Sequence, residues 1–386
     1  MSNNIKCCEL FERIDEIQKE YVNFLGDICK IESPTDYKEG VDKCGKYIID
    51  KAVERGWKIA VQKQEISGDA ICITMNPDAK GEPVCYSGHI DTVHAVGLFG
   101  ENPVRIEGDR LYGPGAVDCK GGIAASFCAM AALEDVGFTS RPVKLIIQSD
   151  EENGSRFSNK TTVDFMEQSA KGCIAFLNTE KFFPGKSTCL RKGIVKYRFE
   201  IEGKAIHASK CFEGASAVCE AAYKIIELEK MKDKEGLTCN CGLINGGTSE
   251  NTVPEKCVFT ADIRFPDADA MNKADKFVRE IAVKSFVDGT KCTVTQASMR
   301  VAMPKSEANL KLLEKINDIF SENDIPTLEA VFSFGGSDAA DMTTRGITCL
   351  DSFGIEGENA HKINEYAIIS SIAESAKRLA AIAYCI

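Results

Sequence analysis

Glu82-Pro83-Val84-Cys85-Tyr86-Ser87-Gly88-His89-Ile90-Asp91-Thr92 is the stretch on which the fold turns. Its first half is apolar and strand-like, and it ends in an imidazole and a carboxylate one residue apart. A second stretch repeats the plan: Val143-Lys144-Leu145-Ile146-Ile147-Gln148 is rich in β-branched and aliphatic residues and runs into Asp150-Glu151-Glu152. Two strands that each end in titratable groups point to an open α/β sheet, where ligands gather outside the carboxyl ends of the strands. Residues i and i+2 of a strand share a face, so Asp91 is expected to hydrogen-bond the far nitrogen of His89 and fix which nitrogen meets a ligand.

Further side chains of the same chemistry flank these two. Asp118 falls between Tyr112-Gly113-Pro114-Gly115 and Lys120-Gly121-Gly122, ahead of an alanine-rich helix pattern from Ile123 to Leu133, so a Gly-rich turn can present a bridging carboxylate there. Glu180 follows the strand-like Ile174 to Leu177, and His361 stands in Ala360-His361-Lys362. His89, Asp118, Glu152, Glu180 and His361 suffice for a pair of cations: zinc takes imidazole nitrogen and carboxylate oxygen, and a carboxylate can bridge two ions. Two ions about 3.5–4 Å apart polarise a carbonyl and turn water into a nucleophile at neutral pH, with no Ser or Cys required. Glu151, next to Glu152, is the free carboxylate that takes the water's proton. An isolated acidic pair is ordinarily a solvated loop; its position at a strand end argues for a site.

The ordered set of motifs resembles the co-catalytic zinc exopeptidases, the family of glutamate carboxypeptidase, acetylornithine deacetylase and succinyl-diaminopimelate desuccinylase. The resemblance runs through Gly88 to Val93, Arg105-Ile106-Glu107-Gly108-Asp109-Arg110-Leu111-Tyr112-Gly113-Pro114-Gly115, Asp118 to Gly122, Asp150 to Ser155, Gly203 to Ser209, Asn251-Thr252-Val253-Pro254, Asp262-Ile263-Arg264, Gly335 to Ala339 and Ala360-His361-Lys362. It covers nearly the whole chain, and the Arg105 to Gly115 segment looks closest to the glutamate carboxypeptidase branch. It implies one zinc on His89 and Glu180, a second on Glu152 and His361, Asp118 bridging through a cis Asp118-Cys119 peptide, and Glu151 as general base. It further implies that His207 serves the partner subunit's active site as an oxyanion donor, that Asn251 and Arg264 bind the substrate α-carboxylate, and that Gly335 and Gly336 let backbone approach the substrate. Cys119 departs from the polar residue common in relatives and reads as a buried spectator. The segment Asn178 to Phe182 lacks the Glu-Pro usual around the position of Glu180. His94 is left without a role beyond the rim, and Lys186 reads either as a partner for an acidic substrate side chain or as a solvated lysine.

Length and composition fit a complete enzyme of this kind. The chain has 386 residues, more than the roughly 100–200 of one domain, so two are expected. From Gly193 onward the pattern is strand (Ile194 to Glu202), helix (Ala215 to Lys230), strands (Leu237 to Ile244 and Lys256 to Phe265), helix (Ala268 to Val287) and strand (Lys291 to Ser298), the ferredoxin-like βαββαβ order. The expected fold is therefore α/β: a zinc-exopeptidase-like catalytic domain of residues 1–190 and 304–386 with a mixed sheet and flanking helices, interrupted by a ferredoxin-like α+β lid and dimerisation domain of residues 191–303. The resemblance implies a homodimer.

A net charge of −11 disfavours a nucleic-acid partner, whose phosphates require a basic face. No stretch reads as the roughly 18 apolar residues of a membrane span, and Met1 to Glu20 is polar and amphipathic rather than signal-like, so a cytoplasmic protein with no membrane partner is expected. The eighteen cysteines include no Cys-x-x-Cys pair; Cys7-Cys8 and Cys239-x-Cys241 have the wrong spacing for a zinc knuckle, and most read as small buried hydrophobes.

The expected reaction is hydrolysis of an amide that joins a peptidyl or acyl group to an amino acid with a free α-carboxylate, using two Zn, or Co or Mn, ions per subunit. A carboxypeptidase-like enzyme acting on short peptides and a deacylase acting on small N-acyl amino acids both fit. Retention of Glu151 and all five ligands argues against a non-catalytic binding relative. The Asn251 and Arg264 clamp argues against phosphoester substrates.

Overall fold

The structure, a computed structural model, describes residues 7–233 and 236–386. The first six residues of the amphipathic Met1 to Glu20 stretch lie outside these; the rest enters the helix Cys8–Lys30. The chain forms two compact units, one comprising the chain up to Cys189 with Lys305–Phe332 and Ser337–Ile386, the other Leu190–Pro304 with Ser333–Gly336. The short Ser333–Gly336 segment joins the second unit, where the sequence pattern had left it with the first. Its hydrogen bonds explain why: the Lys192 amide donates to the Ser333 carbonyl, and Arg191 donates to the carbonyls of Gly335 and Gly336.

The first unit is built on a six-stranded mixed sheet in the order Lys58–Gln62, Ala70–Met75, Val143–Gln148, Val84–His89, Ala175–Asn178, Cys349–Leu350. The last four run parallel and the outer two pair antiparallel. Val84–His89 is central and buried along its whole length, which is why it reads as a continuous rather than an alternating apolar run. The helix Gly121–Asp135 packs against this strand and against the helices Cys8–Lys30 and Ser370–Cys385, while Thr161–Ala170 packs on Val143–Gln148 and Ala70–Met75. Phe127 anchors the contact with the helix Cys8–Lys30, its ring 5.1 Å from Phe24, and also lies 4.9 Å from Trp57. The stretch Ala116–Asp135 is apolar and long enough to cross a membrane by composition alone, contrary to the sequence expectation; it lies 94% buried in the core.

The second unit has the βαββαβ order: Gly193–Glu202, Ala217–Glu229, Thr238–Gly246, Lys256–Phe265, Ala268–Val283 and Lys291–Arg300. Its antiparallel sheet runs Thr238–Gly246, Lys256–Phe265, Gly193–Glu202, Lys291–Arg300. Strict alternation of buried and exposed residues along Gly193–Glu202 puts one face on the helices, with Phe199 stacked on Phe259 at 4.4 Å. The second helix stops at Val283 rather than Val287 because the Phe286 and Val287 amides turn to the buried Glu220 carboxylate.

Candidate metal centre

Three neighbouring parallel strands deliver the site. Register pairs His89 with Gln148 and Ser87 with Asn178, so His89, the Asp150 to Glu152 loop and the Thr179-Glu180 segment emerge at one carboxyl edge. Asp118 reaches the same edge from the turn Ala116–Lys120, through a cis Asp118–Cys119 peptide. The helix that follows comes so close that a Cβ on Gly122 would lie 2.1 Å from the Thr179 carbonyl oxygen, so this position admits only glycine. His361 arrives on a loop with left-handed backbone at Asn359 and His361.

The five expected ligands meet. Nε2 of His89 lies 3.1 Å from Oδ1 of Asp118 and 3.7 Å from Oε1 of Glu180. Nε2 of His361 lies 3.1 Å from the other Asp118 oxygen, Oδ2, and 3.3 Å from Oε2 of Glu152. Asp118 thus turns one oxygen to each imidazole and carboxylate pair.

Electrostatics make the cluster costly without a cation. Burial, reinforced by Asp118, lifts Glu180 well above the usual carboxylate range, and burial lifts Glu152 to about 7 against the pull of His361. For Asp118 burial acts in the same direction but is overridden by hydrogen bonds from His361 and His89, which hold it far below. Those bonds, with Glu152, raise His361 to about 10. The charge of Glu151 acts on His89, Glu152 and Glu180 together. Imidazole nitrogens and carboxylate oxygens crowded at these distances are the donor set zinc prefers, and a cation removes the mutual repulsion. The residues therefore fit a metal.

Asp91 sits past the strand end, not on it. Its carbonyl accepts from Nδ1 of His89 at 3.0 Å, closer than its own carboxylate oxygen at 3.4 Å. That carboxylate instead accepts the backbone amides of Glu151 and Glu152, both at 3.1 Å, and the Thr35 hydroxyl. One residue thus sets the imidazole tautomer and pins the loop carrying Glu151 and Glu152. Asp150 turns away and binds Ser158 and Thr162; burial lifts it to about 6.

Two supporting residues escaped the sequence reading. Glu365, buried, accepts the amides of Gly115, Val117 and Asp118 at 2.9–3.2 Å and so fixes the turn that presents Asp118. His94 is not a rim residue: it is buried and meets Glu365 at 2.8 Å. Nothing local marks Glu365, which holds a turn some 250 positions earlier. Cys119 is buried near His89 and Glu180, and its thiol donates to the Thr179 carbonyl at 3.0 Å.

The expected oxyanion and carboxylate-binding residues lie in the second unit, and Lys186 in the first. His207 is exposed and caps a short 3-10 helix, with Nδ1 bound by Ser209. Asn251 is exposed and accepts from the Ser249 hydroxyl. Arg264 is held by both oxygens of Asp262 and donates to the Phe334 carbonyl, next to Gly335 and Gly336. A Cβ on Gly336 would fall 2.5 Å from the Arg300 side chain. Lys186 opens the strand Lys186–Arg191, exposed.

The sequence pattern of Peptidase family M20/M25/M40 matches residues 85–384. Carboxypeptidase G2 of Pseudomonas sp. (strain RS-16) is 27% identical over 371 residues, covering 94% of this chain and 88% of that protein. A succinyl-diaminopimelate desuccinylase of Rickettsia massiliae is 25% identical over 380 residues, covering 91% and 96%. Among solved structures, aminopeptidase PepT from Bacillus cereus matches with a TM-score of 0.79 at 20% identity, over 95% of this chain and 98% of that one. An M20 family metallo-carboxypeptidase from Sulfolobus solfataricus matches at 0.73 and 18%, over 95% and 98%. With the family pattern running through most of its length, the chain belongs to Peptidase family M20/M25/M40 and is a metal-dependent hydrolase.

Proposed function

We propose that the protein is a dinuclear zinc exopeptidase of carboxypeptidase type, cleaving the amide that links a peptidyl or acyl group to an amino acid with a free α-carboxylate. The observation that carries this is Asp118, which offers separate oxygens to two imidazole and carboxylate pairs at 3.1 Å each. His89 with Glu180 and His361 with Glu152 would hold two ions, with Asp118 shared between them, and the ions would supply Lewis acidity toward the scissile carbonyl and toward water. Glu151 removes the proton of the attacking water and returns it to the leaving nitrogen. Asp91 keeps the Glu151 and Glu152 loop in register with His89. His207 donates to the oxyanion in the partner subunit's active site, while Asn251 and the outer N–H groups of Arg264 bind the substrate carboxylate, beside the backbone of Gly335 and Gly336.

Support for a homodimer comes from Tyr223 and Ile226, one turn apart on the helix Ala217–Glu229, and from Leu243 and Ile244 on the edge strand Thr238–Gly246. All four are about half exposed or more. All eighteen cysteines are unbridged, which suits a reducing compartment, so the cytoplasm is assigned.

The desuccinylase relative supports a second reading, removal of a small acyl group. Amino-acid release by the zinc-loaded protein, measured on N-acyl amino acids and on peptides ending in the same residues, separates the two. Release from the peptides alone is expected; release from the acyl derivatives alone favours the second reading, and release from neither, with metal bound, overturns both. Glu151→Gln is expected to keep its metal and lose about 10²–10⁴-fold in kcat.

A further inference from the structure

A cavity of about 510 Å³ lies within the first unit; none of the candidate metal ligands lines it, and Arg378 does. Arg378 is 8% exposed and, among the described residues, has no ion-pair partner and makes one side-chain hydrogen bond, from a terminal nitrogen to the Gly354 carbonyl at 3.3 Å. Its Nε is buried with no hydrogen-bond partner among the described residues. Its Cζ lies over the Phe182 ring, 3.7 Å from the centroid. Buried charges are ordinarily paired, so a guanidinium on a cavity wall with a single carbonyl acceptor favours an anionic group beside it. Burial, opposed by Glu374 and Glu356, brings Arg378 down only to about 10, so it is cationic at neutral pH.

The same cavity carries an unmatched carboxylate. Glu356 is half-buried and has no ion-pair partner among the described residues, while the neighbouring Lys377 is already engaged by Asp15 and Glu374. Arg378 and Glu356 face one cavity without pairing with each other. A ligand bearing a carboxylate and an ammonium satisfies both. An inorganic anion would satisfy Arg378 but meet the carboxylates of Glu356 and Glu374. Phe182 and Leu328 add apolar wall, and the volume is in the usual range of about 300–1,000 Å³ for small-molecule sites. We propose that this cavity binds a free α-amino acid with an apolar side chain, its carboxylate on Arg378 and its ammonium on Glu356.

The site adjoins the metal-ligand segment. The Gly354 amide donates to the Glu180 carbonyl at 2.9 Å, and the Phe182 amide donates to Ile355 at 2.9 Å. An occupant that draws on Arg378 therefore bears on the backbone of Glu180; this effect on turnover rests on the metal-ligand reading of Glu180, whereas the binding does not.

The test is equilibrium dialysis of the metal-loaded protein with leucine, 4-methylpentanoate and 3-methylbutylamine. It is done in the Arg264→Ala background, which removes the carboxylate clamp proposed for the substrate. Saturable leucine binding is expected, weakened about tenfold or more by Arg378→Gln. Glu356→Gln, which leaves the buried cation in place, is expected to weaken leucine but not 4-methylpentanoate, and it serves alone if Arg378→Gln fails to fold. Absence of saturable leucine binding, leucine binding indifferent to the available variants, or equal binding of leucine and 4-methylpentanoate overturns the proposal. Absence of hydrolysis by the zinc-loaded protein with Arg264 in place, alongside intact leucine binding, would count against the catalytic reading only.

Discussion

Asp118 and Glu365 divide one task. Asp118 offers an oxygen to each imidazole, and Glu365 fixes the turn by accepting three of its amides, with His94 on its remaining side. Hydrogen bonds to a charged acceptor contribute about 1.5–3 kcal/mol each, and support residues of this kind typically alter metal affinity about 10–100-fold. Glu365→Gln puts an NH₂ group where amides point, so zinc affinity is expected to fall by about that factor while the protein stays folded. Competition with a chromophoric chelator measures it, and unchanged affinity would remove Glu365 from the supporting role. His89, Asp118, Glu152 and Glu180 were legible because each follows a strand-like run or sits in a Gly-rich turn, whereas His361 was read from the family resemblance. Glu365 and His94 were not legible, because their meaning comes from partners far along the chain.

At the scale of elements, close approach and buried charge decide more than propensity. Gly122 lets the helix Gly121–Asp135 touch the Thr179 carbonyl, so Gly122→Ala forces a backbone shift beside Glu180. A loss of about 1–3 kcal/mol is expected from overpacking, read by urea denaturation, together with reduced zinc content. In the second unit Lys224, fully buried, pairs with Glu220 at 2.9 Å and donates to the carbonyls of Ile281, Ala282 and Lys284, where the helix Ala268–Val283 ends. Lys224→Ala leaves Glu220 as an uncompensated buried charge and is expected to cost about 3–5 kcal/mol. Adding Glu220→Gln should return part of that loss, because the stranded charge is gone; a double variant as unstable as the single one would locate the defect in packing alone. This pair also explains the helix end: periodicity carried the expected helix to Val287, whereas Glu220 takes the amides of Phe286 and Val287.

On the scale of the whole molecule, the exposed apolar residues of the helix Ala217–Glu229 and the edge strand Thr238–Gly246 set the expected assembly. A dimer is expected by light scattering, and Ile226→Glu with Leu243→Glu should convert it to a monomer without unfolding it; a wild-type monomer would dismiss the interface. The sequence by itself determined the α/β plan with its βαββαβ insertion. Hydrophobic period and strand-terminal polar clusters are local properties of a chain, and they survive in a single sequence. It also determined the ligand types, since imidazole and carboxylate at strand ends announce cation chemistry. Tertiary structure alone decided that Asp118 faces two imidazoles with different oxygens, that Asp91 pins the Glu151 loop, that His94 is buried behind Glu365, and that Arg378 lines a cavity with no ion-pair partner among the described residues. Each of these depends on distances between segments far apart in the chain, and close packing, which no local pattern encodes, sets those distances.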